Sequence, residues 1–253
     1  MEQQILDKYD IMDVSLLAGK IMLECGAETY RVEDTMERIA ASFGIKQSHS
    51  YVTPTGIMFS IETEEPTKTK LIRISERTTD LKKVAMVNSI SRKISSGELT
   101  VAEAHRVLKQ INSSNLQFPV MLQVAAASIS SGCFLIMFQG MWRDFLPAMI
   151  AGGLGFVSLL LLHRLVPIKF FSEFMASFII GLLSYFCVQL GLGVELDKII
   201  IGSVMPLVPG LLITNAVRDL MAGHLLSGLS KGAEAFLTSF AIGSGIAFIL
   251  TFL

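Results

Sequence analysis

Apolar positions fall at helix and strand spacings in the first 117 residues and then run almost unbroken to the end of the chain. Between Asp10 and Cys25, the residues Ile11, Val14, Leu17, Ala18, Ile21, Met22 and Cys25 mark one face of a helix, with Gly26 as its stop. A second helix is predicted over Thr29 to Phe43, ended by Gly44. Three short strands follow in Tyr51–Thr53, Ile57–Ile61 and Leu71–Ile74, punctuated by Pro54-Thr55-Gly56 and Glu64-Glu65-Pro66. Helical spacing returns over Asp80–Ile94. Thr100 with Glu103 then forms the pattern of a capping box for a helix reaching Ile111. Residues 1–117 therefore read as an α+β domain, with Asn112–Gln117 as the linker.

Five apolar stretches follow: Val120–Gly140, Phe145–His163, Phe170–Gly191, Ile199–Val217 and Ala233–Leu253. Each is close to the ~20 residues a helix needs to cross ~30 Å of hydrocarbon. The expected architecture is an α-helical membrane protein: five transmembrane helices (118–253) behind a small cytosolic α+β domain (1–117). The acidic, polar start, Met1–Asp10, lacks the basic and apolar regions of a secretory signal, which predicts that the first domain stays in the cytosol. With that end inside, the inner connections carry Arg164, Lys169, Arg218 and Lys231. The outer ones carry Arg143 and Lys198, offset by Asp144, Glu195 and Asp197. Lys and Arg favour the cytosolic side, so the expected topology is N-in, C-out. Small residues recur four apart at Ala148/Gly152, Ala151/Gly155, Ser177/Gly181 and Ser239/Gly243/Ala247, a spacing that lets helices pack closely in lipid. No internal repeat is visible. Transporters are commonly built from two related halves, so five helices call for a second copy or a separate chain.

Composition sharpens this division. Residues 1–117 hold 15 of the 21 Lys and Arg and 16 of the 22 Asp and Glu, leaving six of each in the rest. The net charge of −1 comes with no basic cluster, which argues against a nucleic-acid partner. Cys25, Cys133 and Cys187 are widely separated, and the four histidines, His49, His105, His163 and His224, show no ligand spacing, so no metal or cofactor is expected.

Candidate chemistry concentrates in Val204–Asp219. Pro206 and Pro209 lack backbone N–H groups and release the carbonyls of Gly202 and Met205, and Gly210 softens the chain further. That combination predicts an unwound helix, a feature that lines transporter substrate sites; the plainer reading is a proline-kinked packing helix. Asn215, Arg218 and Asp219 share a helical face. Arg218 suits carboxylate recognition, with Thr214 and Asn215 as hydrogen-bonding partners. Asp219 and Glu173 suit proton coupling or amine binding. Glu173 is a charge inside an apolar run and thus a functional candidate, the alternative being that it snorkels beside Lys169. With Glu234, these groups would line an inner vestibule. Gly26-Ala27-Glu28-Thr29-Tyr30-Arg31-Val32-Glu33-Asp34 is dense in polar groups at a helix start, and alone it reads as a capped helix with a charged face. No Walker A motif points to ATP as the driving force, and no GxSxG motif points to a nucleophile.

These segments resemble the threonine/serine exporter family, specifically the larger chain of its two-chain form. The matching residues are Ala18-Gly19, Gly26 through Asp34, Pro54-Thr55-Gly56, Arg73 with Arg77, Pro206-Leu207-Val208-Pro209-Gly210, Thr214-Asn215, Arg218-Asp219 and Ser227-Gly228. The resemblance covers nearly the whole chain. It implies an exporter in the bacterial inner membrane for threonine- and serine-type amino acids or dicarboxylates such as succinate, paired with a small all-membrane subunit. It also singles out Gly26, Glu28, Thr29, Arg31 and Glu33 as a motif of the first domain. Two rival readings are a membrane-tethered hydrolase acting through residues 1–117 and a non-transporting scaffold or sensor.

Overall fold

The computed structural model describes residues 2–62, 67–166 and 168–252, with side chains from residue 8 onward. The chain divides into two compact units, Met1–Gln117 with Leu211–Gly232, and Phe118–Gly210 with Ala233–Leu253.

The first unit opens with α1 (Glu2–Glu24) and α2 (Thr29–Ser42), followed by strands β1 (Ser48–Thr53), β2 (Gly56–Ile61) and β3 (Lys68–Arg73). Helices α3 (Leu81–Ser95) and α4 (Val101–Ser113) complete its N-terminal part. α1 begins ahead of the expected Asp10. It is buried on most sides through Met12, Val14, Leu16, Ala18, Ile21 and Met22, which makes it the central helix of this core. Its C-terminus is a Schellman turn. Gly26 adopts φ +90°, its N–H donates to Leu23 O, and the Ala27 N–H donates to Met22 O. The strands pair antiparallel in the order β1-β2-β3, with Val52 opposite Ile57 and Ile57 opposite Ile72. Ile57, Phe59 and Ile61 point into the core at the period of two expected of a half-buried strand. Asp80 caps α3 by accepting from the Lys83 N–H, and Thr100 and Glu103 form the predicted capping box. The turn expected at Glu64-Glu65-Pro66 lies outside the described residues.

The second unit holds α5 (Val120–Met137), α6 (Phe145–Leu165), α7 (Lys169–Gln189), α8 (Leu196–Val204) and the later part of α10 (Leu225–Phe252). Four helices among the described residues are long and apolar enough to cross a membrane: α5, α6 with its preceding turn, α7 and α10. The count becomes five if the broken pair Leu196–Leu207 and Gly210–Met221 forms one span. The protein is thus mostly helical, with a small three-stranded sheet.

Small residues set the approach of these helices. A Cβ on Gly152 would lie 2.0 Å from Ser131 Oγ, one on Gly155 2.2 Å from Ile180 Cγ1, and one on Gly245 2.3 Å from Ser177 Oγ. Ala148, Ala151 and Ser177 are buried, whereas Ser239, Gly243 and Ala247 face outward. The first three small-residue patterns therefore serve internal packing. Buried Asp144 fixes the loop before α8 by accepting from the N–H groups of Val194, at 2.6 Å, and Glu195, at 3.1 Å.

Candidate functional site

The Pro206 and Pro209 pair interrupts the helix as their missing N–H groups require. α8 stops at Val204, Met205–Leu207 form a single 3₁₀ turn, Val208 is extended (φ −63°, ψ 130°), and α9 (Gly210–Met221) restarts at Gly210. The boundary between the two units falls here, so Pro206, Pro209 and Gly210 belong to the second unit and Thr214, Asn215, Arg218 and Asp219 to the first.

Within the first unit, the polar face of α9 meets the segment that begins α2. Asp219 is fully buried. Its Oδ1 accepts from the Thr29 N–H at 2.9 Å, and its Oδ2 accepts from Thr29 Oγ1 at 2.8 Å and from Lys231 Nζ at 2.7 Å. The first-turn N–H groups of a helix have no partner within the helix, and Glu28, at the N-cap of α2, gives no side-chain cap. Asp219 therefore caps α2 from 190 residues away, with its negative charge at the positive end of the helix. Lys231, almost as deeply buried, supplies the opposite charge and also donates to Thr29 Oγ1 at 3.3 Å and to Ala27 O at 3.5 Å.

The neighbouring contacts repeat this pairing of distant segments. Asn215 Nδ2 donates to Gly26 O at 2.9 Å, and Ser227 Oγ donates to Val52 O at 2.9 Å. Gly228 lets α10 approach α9, because a Cβ there would lie 2.6 Å from Leu220 Cγ and 2.9 Å from Ala216 O. Glu33 accepts from the Val52 N–H at 2.9 Å, and its other oxygen lies 3.6 Å from His224 Nδ1. Burial pushes the Glu33 carboxyl up, against the pull of the Val52 N–H and His224.

At the edge of this network lies a carboxylate held by two guanidinium groups. Glu28 Oε1 accepts from Arg218 Nη1 at 2.5 Å, and Glu28 Oε2 accepts from Arg31 Nη1 at 3.3 Å. The Glu28 side chain is 7% exposed and that of Arg218 is 56% exposed. Burial alone would raise the Glu28 carboxyl, but its own backbone N–H and the two arginines prevail and hold it below the usual carboxylate range.

The structure thus brings together Gly26, Glu28, Thr29, Arg31 and Glu33 with Asn215, Arg218 and Asp219. Thr214 is exposed on the same helix. Glu173 and Glu234 lie in the second unit. Glu173 does not snorkel. It is 5% exposed, and Lys169 pairs with Glu234 instead, at 2.8 Å. Lys231, Ser227 and His224 complete the network; in the sequence Lys231 reads as a flanking charge, Ser227 only as a residue of the resemblance and His224 as one of four scattered histidines. The available signal was the pair Lys231 and Glu234, the two charges in the mostly apolar run of α10. The Thr29 hydroxyl is fully buried and committed to Asp219, so it offers nothing to an outside reactant. No cluster of metal-binding side chains occurs among the described residues.

Comparison with known proteins identifies the family. The family model described as "Putative threonine/serine exporter" matches residues 13–253. A "Probable threonine/serine exporter" of Mycobacterium tuberculosis is 22% identical over 93% of this chain and 45% of its own length, so the chain spans under half of that relative. A "Probable succinate transporter subunit YjjP" of Klebsiella aerogenes is 27% identical over 91% of this chain and 89% of its own length. Its Escherichia coli counterpart is 27% identical over 92% and 91%. No solved structure matches the chain. The family is one of exporters rather than enzymes, and the apolar helices are those of a multi-pass membrane protein. The chain belongs to the threonine/serine exporter family.

Proposed function

We propose that this chain is the larger subunit of a two-chain exporter in the bacterial inner membrane, moving small carboxylate metabolites out of the cytosol. The substrates are threonine- and serine-type amino acids or dicarboxylates such as succinate. Two relatives of similar length carry the word subunit in their names, and the Mycobacterium relative is more than twice as long as its matched part. Both facts support a separate, all-membrane partner that supplies the missing half.

The observation that carries the reading is Arg218. Glu28 anchors one of its nitrogens from below, while more than half of the side chain stays open to solvent. An anchored guanidinium with a free edge suits a water-borne carboxylate, because its planar fork can pair with two oxygens. Thr214, exposed one helical turn before Arg218, is placed to share the ligand. Asn215 and Asp219 position the arginine by fixing α9 to the start of α2. The break at Pro206–Gly210 supplies a joint for alternating access and a second place for substrate contact. Residues 211–232 belong to the same compact unit as 1–117, and the excess of Lys and Arg in the inner connections supports a cytosolic position for that unit.

Efflux of labelled threonine and succinate from preloaded cells, with and without this chain and its partner, tests the proposal. Arg218→Lys keeps the charge but loses the fork. It should insert normally and export at a fraction of the wild-type rate. Unchanged efflux of both metabolites when the chain is deleted would remove the export reading. Wild-type export by Arg218→Lys would remove the role of Arg218.

A further inference from the structure

We infer that Glu173 is the carboxyl that binds and releases the proton coupled to transport, reached past the Lys169–Glu234 ion pair. The inference rests on the export reading above.

Glu173 lies one turn into α7 from Lys169, and Thr238 lies one turn into α10 from Glu234. The two helices therefore face each other through two polar rungs. At the rim, Lys169 Nζ donates to Glu234 Oε1 at 2.8 Å, and both side chains are partly exposed. One turn deeper, Thr238 Oγ1 donates to Glu173 Oε1 at 3.4 Å, and both residues are buried. The seam closes at the next contact, where Gly245 lies against Ser177. Glu173 is the deep end of a polar track that starts at an ion pair.

Its second oxygen, Oε2, is buried and has no hydrogen-bond partner among the described residues. Neither protonation state is satisfied there. Ionised, the group carries a charge whose nearby cation, Lys169, is already bonded to Glu234. Protonated on that oxygen, its O–H has no acceptor among the described residues. A half-satisfied carboxyl in an apolar bundle is costly, and ionisable groups in that setting serve ion or proton pathways. Asp219, the other carboxyl suited by sequence to coupling, is in the opposite condition. It accepts three hydrogen bonds and has Lys231 as a counter-ion, so both of its oxygens are partnered.

The charged groups around Glu173 are few. Its own helix brings Lys169, and α10 brings Glu234. α6 ends in His163 and Arg164, with His163 in electrostatic reach of Lys169. α8 carries Asp197 and Lys198, and Lys198 donates to Phe138 O. α5 carries no charged side chain. Rearrangement of the Lys169–Glu234 rim pair is thus the event that opens or closes access. The step itself is simple: a proton adds to a Glu173 oxygen from one side of the membrane and leaves to the other, and no other bond changes.

The experiment uses inverted membrane vesicles containing the full chain and its partner, with radiolabelled threonine and succinate as probes. Wild-type vesicles should accumulate the transported probe when a pH gradient is imposed and should exchange it in counterflow without one. Glu173→Gln, a fixed mimic of the protonated acid, should lose gradient-driven accumulation and keep counterflow. Glu173→Asp should restore accumulation with a displaced pH midpoint. In infrared difference spectra, a protonated-carboxyl band should titrate in the wild type and vanish in Glu173→Gln. Gradient-driven accumulation by Glu173→Gln at the wild-type level would overturn the inference. So would loss of counterflow and accumulation together in both variants without a titrating band. Wild-type vesicles that move neither probe would count against export, while the infrared titration would still decide the status of Glu173.

Discussion

The buried Asp219–Lys231 pair gives a stability prediction whose size can be worked from the geometry. Lys231→Met keeps the volume and apolar stem but leaves the Asp219 carboxylate buried with only its two Thr29 hydrogen bonds. Breaking a buried pair by removing one partner costs about 3–5 kcal/mol, because the remaining charge loses its compensation. Asp219→Asn leaves the Lys231 ammonium in the same position and should cost a similar amount, including about 1 kcal/mol for the weakened α2 cap. The double variant, Asp219→Asn with Lys231→Met, contains no buried charge, so it should be no less stable than either single. The interaction energy from the cycle should then be at least about 3–5 kcal/mol, the cost of one single. Hydrogen exchange of the full-length protein reads this directly at the Thr29 amide, which donates to Asp219. At 1.4 kcal/mol per factor of ten, each single should speed exchange there by about two to three orders of magnitude, and the double should recover most of the protection. Singles that each cost less than about 1 kcal/mol and simply add would identify a solvated pair and refute the reasoning.

Three further outcomes follow from the same packing. Glu28 is held below the ordinary carboxylate value of 4.5, so its contribution is present above that value and is lost as pH falls through its lower folded value. Thermal unfolding from neutral to acid pH should therefore show a shallower acid limb in Glu28→Gln than in the wild type; identical limbs would contradict this. Gly152→Leu places a side chain where even a Cβ would lie 2.0 Å from Ser131 Oγ, so it should collapse thermal stability in detergent. Gly243→Leu, with nothing within 4 Å of its Cβ position, should leave stability unchanged. Asp144→Ala removes the acceptor for two loop N–H groups and should destabilise the protein by about 1–3 kcal/mol per orphaned donor; a thermal midpoint equal to wild type would show the loop needs no anchor.

Much of the fold was legible because its signals are local. Turn glycines, the Thr100–Glu103 capping box and the alternation Ile57, Phe59, Ile61 each act within a few residues, and each appears where the pattern puts it. The interruption at Pro206 and Pro209 was legible for the same reason, since a missing N–H has the same consequence in any context. Partners far apart in sequence were not legible. Asp144 reads as a loop charge beside Arg143, and only the return of residues 193–195 past it shows why a carboxylate is buried there. Lys231 reads as a cytosolic flanking charge, and its role appears only when α10 places its ammonium against Asp219.

The reversed polarity of residues 211–232 explains why that segment resisted reading. Asn215, Asp219, Ser227 and Lys231 are buried and bonded, while Val217, Met221, Leu226 and Leu229 are exposed. Periodicity finds the two faces of such a hairpin but not which face points inward, because the moment of a helix has the same size whichever face is buried. In a water-soluble domain the apolar face would turn in. Here the polar face turns in, because it meets the unpaired N–H group at the start of α2, the Gly26 carbonyl that follows the Schellman turn, and the Val52 carbonyl of β1. The two motifs that carry the family resemblance, Gly26 to Asp34 and Thr214 to Asp219, therefore depend on each other. Most of their polar residues hold the motifs together; Arg31 and Arg218 are both anchored on Glu28 and open outside, and Arg218 is the more tightly bonded and the more exposed of the two. That difference is the physical ground of the proposal that gives Arg218 the substrate and the others the task of holding it in place.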